Sequence, residues 1–253
     1  MDLMQVRAAT LQAYQRGGKP RIQECGERLV RVHASHAYSW YHHRMRLTND
    51  PAVYLRATVY DMFKAARAEL QSLGYDLKIY DGWRPVVLQE VLFWYYMERF
   101  TIKRLGLARH FAGCKTGEQI AAAFQELPPD VREKLRQENT QYVSWPSQDP
   151  KHPSPHATGG AVDVWLYEKG RPAELGVPFD WMQANAGAFH HLTGAGWHSG
   201  SAEVVRKNRE TLLRAMLGAG FSAYPHEIWH FNYGNQMDAL VTGQSARYGY
   251  ITP

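Results

Sequence analysis

Two short stretches of this chain concentrate metal-binding chemistry. One is Ser154-Pro155-His156-Ala157-Thr158-Gly159-Gly160-Ala161-Val162-Asp163, and the other is Glu227-Ile228-Trp229-His230. Imidazole nitrogen and carboxylate oxygen are the donors of catalytic zinc sites, where three protein ligands leave one position open for water. His156, Asp163 and His230 supply such a set. Glu227 is a spare carboxylate just before the last histidine, able to take a proton from water beside the ion.

Each residue also has an ordinary reading. A buried Asp commonly holds a backbone amide or an Arg, and a histidine after Ser-Pro is commonly just a loop residue. Asp163, however, sits among Ala161, Val162, Val164 and Trp165. An ionised carboxylate in such a strand is costly unless it is paired or bound to a cation. Gly159-Gly160 lets the chain turn so that His156 and Asp163 face one point, and with the second stretch the metal reading prevails. The segment His226-Glu227-Ile228-Trp229-His230 formally matches the HExxH of zinc proteases, which requires a helix. Pro225 and the run Ile228, Trp229, Phe231 and Tyr233 favour a strand instead. In a strand the two histidines stand about 13 Å apart at roughly 3.3 Å per residue, too far for one ion. His226 is therefore expected beside the site, not in it.

The elements that must position these residues read as α+β. Met1 to Arg21 reads as a polar helix. Asn49-Asp50-Pro51 is a helix start, with Leu55, Val59, Met62, Ala66, Leu70 and Leu73 on one face and Gly74 as the left-handed cap. Leu77 to Tyr80 reads as a strand and Pro85 opens the next helix. Residues 95–150 read as a mostly helical insertion broken at Pro128-Pro129. Ala161 to Leu166 is a buried strand, Gly170 to Pro178 a loop, Val204 to Leu217 a helix, and Tyr224 to Tyr233 a strand.

The chain has 253 residues, 45% hydrophobic and 21% charged, which predicts a packed globule. No apolar run approaches the roughly 20 residues of a membrane span. No basic start precedes an apolar core at the N-terminus, so no secretory signal is read and a cytoplasmic location is expected ahead of a periplasmic one. Cys25 and Cys114 are expected as reduced thiols. The net charge of +5 is scattered and no nucleic-acid motif occurs, so nucleic acid is not an expected partner.

Three motifs occur in order: Tyr80-Asp81-Gly82-Trp83-Arg84-Pro85, then Ser-x-His-x-x-Gly-x-Ala-x-Asp from Ser154, then Glu-x-Trp-His-Phe from Glu227. Together they resemble the D-alanyl-D-alanine dipeptidases of the VanX type. That family is related to zinc D,D-carboxypeptidases and to the Hedgehog N-terminal domain fold. The resemblance runs from about residue 38 to 235. It implies one domain, 1–253, with a central, mainly antiparallel sheet flanked by helices. It also implies Zn2+ on His156, Asp163 and His230, with Glu227 as base and Arg84 as oxyanion donor. Asp180 would hold the substrate's amino group and Ser154 would contact the substrate, a small D-containing dipeptide of the kind found in cell-wall peptidoglycan. Pro155 and Ala157-Thr158 depart from the family's usual residues, and the stretch between Arg84 and His156 is long. Those departures leave a D,D-carboxypeptidase as the alternative activity, and a zinc-stabilised binding module as the alternative class. The resemblance leaves the oligomeric state open.

Overall fold

The computed structural model describes residues 1–18, 20–103, 105–140, 143–194 and 196–252. Residue 19 of the expected N-terminal helical stretch, and residues 104, 141 and 142 of the expected insertion, lie outside the described residues. The chain forms two compact units, residues 1–83 with 155–253, and residues 84–154.

The first unit carries the sheet. It begins with α1 (Leu3–Arg16), β1 (Leu29–Arg31), α2 (Trp40–His43), β2 (Tyr54–Arg56), α3 (Ala57–Ser72) and β3 (Tyr75–Asp81). The second unit holds α4 (Val86–Tyr96), α5 (Gly117–Gln125) and α6 (Pro129–Thr140), so the expected break at Pro128-Pro129 separates two helices. The first unit resumes with β4 (Ala161–Glu168), β5 (Arg171–Pro172), α7 (His190–Thr193), α8 (Ala202–Gly218), β6 (Ser222–Ala223), β7 (His230–Asn232) and α9 (Gln236–Thr242).

The main sheet runs β3-β4-β7-β6, with β5 added to β4, and β1 pairs with β2 in a separate ribbon. All these pairings are antiparallel. Only the isolated bridges Ile22 to Ala246 and Ala37 to Ile79 are parallel among the described residues. The fold is thus α+β with a mainly antiparallel sheet. Its core joins Leu77 and Ile79 of β3, Val162 and Val164 of β4, Val59, Phe63 and Leu70 of α3, and Leu212 and Met216 of α8. Side chains alternate across a strand. Asp163 therefore shares a face of β4 with Trp165 and Tyr167, opposite Val162 and Val164.

Two local expectations are corrected. The helix expected from Pro51 begins at Ala57, because Tyr54–Arg56 pair with β1, Leu29 opposite Arg56 and Arg31 opposite Tyr54. The Asp50 side chain does accept a backbone N–H, from Ala52 at 2.9 Å, but that caps a turn and not a helix. Once the ladder takes the backbone groups of residues 54–56, helical bonding is unavailable to them. The strand expected over Tyr224–Tyr233 shortens to β7. Pro225 has no N–H to give a ladder, and residues 224–229 form the connection of a hairpin, closed by Tyr224 N–H on the His230 carbonyl at 3.0 Å. Ile228 N–H leaves the hairpin for the Ala186 carbonyl at 2.9 Å. The segment is not helical, so the HExxH geometry is absent here.

Gly74 ends α3 as anticipated, with φ 84°. Gly82 has a different role, close approach. A Cβ there would stand 2.5 Å from the Tyr54 carbonyl oxygen and 2.8 Å from Val53 Cγ1. Gly82→Ala should destabilise the protein by about 1–3 kcal/mol, the usual cost of overpacking. The measurement is a lower urea midpoint at unchanged slope.

Candidate metal centre

Strand register builds most of the centre. Asp81 on β3 lies opposite Asp163 on β4, and Asp163 lies opposite His230 on β7. One row across three strands therefore carries two carboxylates and an imidazole. An irregularity between Ile79 and Asp81 aligns Asp81 with that row. His156 arrives from outside the sheet, on a 3-10 turn, His156–Thr158, that feeds β4. Gly159, at φ 70°, supplies the left-handed residue that swings the turn into the strand.

Arg56 holds this turn in place. Its backbone N–H donates to the Gly159 carbonyl at 3.1 Å and its Nε to the Thr158 carbonyl at 2.7 Å. The guanidinium is fully buried and forks onto Glu24 at 2.8 and 3.0 Å, with further bonds to the Glu27 and Gly249 carbonyls. A buried Arg so fully satisfied is a rigid brace.

The three predicted ligands come together. His156 Nε2 is 3.2 Å from His230 Nδ1, His230 Nδ1 is 2.9 Å from Asp163 Oδ1, and His156 Nε2 is 3.4 Å from Asp163 Oδ2. Their exposures are 5%, 6% and 3% for His156, His230 and Asp163, so water does little to screen them. His156 Nδ1 lies 2.7 Å from the Gly82 carbonyl, which accepts only, so Nδ1 donates to it and Nε2 is the nitrogen turned to the cluster. The Asp81 carboxylate adds a second acceptor to the same Nδ1 at 3.4 Å. Burial alone would raise the Asp163 pKa. The charges of His156 and His230 and their hydrogen bonds outweigh it and hold the carboxyl below its ordinary range.

This donor set fits a divalent metal. Ligand atoms about 2.0–2.1 Å from a tetrahedral ion stand roughly 3.3 Å apart, and the three separations, 2.9, 3.2 and 3.4 Å, bracket that value. Two nitrogens and one carboxylate oxygen, with no thiolate, form the composition of open catalytic sites and not of closed structural ones.

Glu227 stands beside the cluster. It is 8% exposed, and its Oε2 is 3.8 Å from His230 Nδ1. The hairpin connection before β7 delivers it there. His226, on the same connection, is exposed and lies outside the cluster. Its ring packs against Tyr224 at 5.3 Å, and Tyr224 packs on His230 at 5.4 Å.

The remaining predicted residues lie elsewhere on the chain. Asp180 has a left-handed backbone, φ 61°, and accepts from the Tyr41 hydroxyl at 3.5 Å. Arg84 opens the second unit, between β3 and the Pro85 cap of α4, and donates to Gln89 Oε1 at 2.8 Å. Gln89 in turn donates to the Ser144 carbonyl at 2.7 Å. Ser154 closes that unit and is buried.

Sequence reasoning missed Asp81 and Gly82 as partners of His156, and Asn232 as the partner of His230. Asp81 and Gly82 lay inside a recognised motif, but nothing in their spacing pointed at a residue so far along the chain. Asn232 had a signal: two residues after a strand ligand, a side chain returns to the same face.

The chain is similar in sequence to known proteins. The family described as D-ala-D-ala dipeptidase matches residues 114–248, more than half of the chain. The chain is 26% identical over 235 residues to the D-alanyl-D-alanine dipeptidase of Synechocystis sp., covering 88% of each protein. It is 34% identical over 80 residues to the D-alanyl-D-alanine dipeptidase of Enterococcus faecalis, 31% of this chain and 36% of that protein. The chain therefore belongs to the D-ala-D-ala dipeptidase family, and it is a metallopeptidase. Among the described residues no helix is long and apolar enough to cross a membrane.

Asp163→Asn should weaken divalent-metal binding by more than the roughly 10–100-fold typical of losing an outer-shell partner. Competition against a chromophoric chelator reads this directly.

Proposed function

We propose that this protein is a zinc-dependent dipeptidase that hydrolyses D-Ala-D-Ala or a similar short D-containing dipeptide. The observation that carries the reading is the buried His156–Asp163–His230 cluster with Glu227 Oε2 3.8 Å from His230 Nδ1. The printed names of the two relatives supply the substrate class. We read 1–253 as one peptidase domain into which residues of the second unit, including the stretch 95–150, are inserted.

His156 through Nε2, His230 through Nδ1 and Asp163 through its carboxylate would hold the zinc ion. Bound there, such an ion supplies a lowered water pKa and a polarised scissile carbonyl. Glu227 takes the proton of the attacking water and returns it to the amine that leaves. Its place on the connection before β7 ties its position to that of His230, so base and ligand keep a constant separation. Asp180 provides a carboxylate for the substrate's ammonium, as a dipeptidase requires, with the Tyr41 hydroxyl beside it to orient the carboxylate. The assignments of Arg84 as oxyanion donor and Ser154 as substrate contact rest on motif resemblance.

The test is amino-acid release from zinc-loaded protein offered D-Ala-D-Ala and, in parallel, a peptidoglycan pentapeptide ending in D-Ala-D-Ala. Free D-Ala from the dipeptide alone, lost with a chelator, is the expected result. Release from the pentapeptide alone would replace the reading with a carboxypeptidase. Glu227→Ala should lower kcat by about 10²–10⁴ while zinc stays bound. Near-full activity in that variant would remove Glu227 as the base.

A further inference from the structure

Residues 246–251 belong to no helix or strand, yet other segments hold their backbone along its length. Ala246 N–H donates to the Arg21 carbonyl at 3.0 Å, and Arg247 and Tyr248 N–H both donate to the Gly234 carbonyl, at 2.7 and 2.9 Å. Gly249 N–H donates to the Glu24 carboxylate at 2.6 Å, and Ile251 N–H to the Ala157 carbonyl at 3.2 Å. The Tyr248 ring is fully buried. It fills the space that a Cβ would need at Gly160 and Gly234, where Tyr248 carbons would stand only 2.9 and 2.7 Å away. A segment so fixed is a strap, and it lies across the turn that carries His156.

We infer that this strap positions His156, and that the Trp83 indole is the contact that closes it. The bonds form a ring around the histidine. The His156 imidazole meets the Gly82 carbonyl at 2.7 Å. The next residue, Trp83, donates its indole N–H to the Ile251 carbonyl at 3.0 Å. Ile251 N–H returns to the carbonyl of Ala157, the residue after His156. The indole is a donor only, so the direction of its bond is fixed. The turn itself has little with which to hold its shape. Its backbone bonds are Thr158 N–H to Pro155 at 3.2 Å and Gly159 N–H to His156 at 3.1 Å. Short 3-10 turns have poorer hydrogen-bond geometry than an α-helix, so outside contacts set their orientation. Arg56 holds the Thr158 and Gly159 carbonyls from one side. The strap holds the Ala157 carbonyl and, through Trp83, the strand exit that carries the Gly82 acceptor. Trp83 and Ile251 touch none of the three candidate ligand side chains' donor atoms, so they act through His156 as positioning residues.

The consequence for zinc affinity rests on the zinc reading above, whereas the order of the turn does not, so the two are separable. Two substitutions in the full-length protein open the ring at different links. Trp83→Phe removes the indole donor and keeps an aromatic ring. Ile251→Pro removes the N–H that meets Ala157. Trp83 and Ile251 are only half-buried, so water can satisfy the groups left behind without tethering the turn. Hydrogen exchange of the Thr158 and Gly159 amides in metal-free protein reads the opening of the turn, and chelator competition with zinc reads the affinity. Each variant should exchange those amides about 2–10-fold faster and bind zinc more weakly by a similar factor, the usual worth of one hydrogen bond. Exchange in β3 and α8 and the urea midpoint should stay at the parent values. The double variant should be no worse than either single one, because a ring already open loses little at its second link. Unchanged exchange at Thr158 and Gly159 in both variants would overturn the strap. So would additive effects in the double variant, or faster exchange spread over the whole protein with a lower urea midpoint. A parent protein that binds no zinc would instead overturn the metal reading, and the exchange rates would still decide the strap.

Discussion

A carboxylate buried against two imidazoles is the constraint on which this site depends. Asp163 is 3% exposed, with ring nitrogens of His156 and His230 at 3.4 and 2.9 Å. Burial removes the water that would otherwise screen the carboxylate, so it must be paired with a donor or a cation close by. A proton or a metal cation among the three groups meets that need. The rest of the first unit is scaffolding that keeps these three groups together.

That scaffolding comes from separate parts of the chain. The β3-β4-β7 register lines up Asp81, Asp163 and His230 in one row. Arg56, at the end of β2, braces the turn that carries His156 and ties it to Glu24 near the N-terminus and to Gly249 near the C-terminus. Backbone of the β3 exit, at Gly82, orients one imidazole, and the side chain of Asn232 orients the other. The outer partners of metal-bound histidines orient the rings and raise their basicity, so they belong to the centre as much as the ligands do. Glu227 is held next to His230 by chain connectivity.

Much of this was legible in the residues. His156, Asp163 and His230 stood out as candidate ligands because an Asp within an apolar strand and a Gly-Gly turn after a histidine are hard to explain otherwise. The rejection of a helical HExxH also held, since Pro225 and the β-branched and aromatic residues after it oppose a helix. The reading of Tyr224–Tyr233 as continuous strand failed for a related reason: Pro225 opposes a ladder as well, and the Ile228 N–H found its acceptor at Ala186. The helix start at Pro51 failed because β1, far upstream, claimed the backbone of Tyr54–Arg56.

The sequence by itself therefore determined the donors, the family and the α+β alternation of elements, since these depend on residue type and on spacing within one segment. The tertiary structure decided which nitrogen of each histidine faces Asp163, which Arg braces the His156 turn, and where β2 and β7 stop. Those outcomes depend on hydrogen bonds between segments far apart in the chain. A carbonyl at Gly82 or an amide at Asn232 has no distinguishing chemistry until folding sets it against its partner.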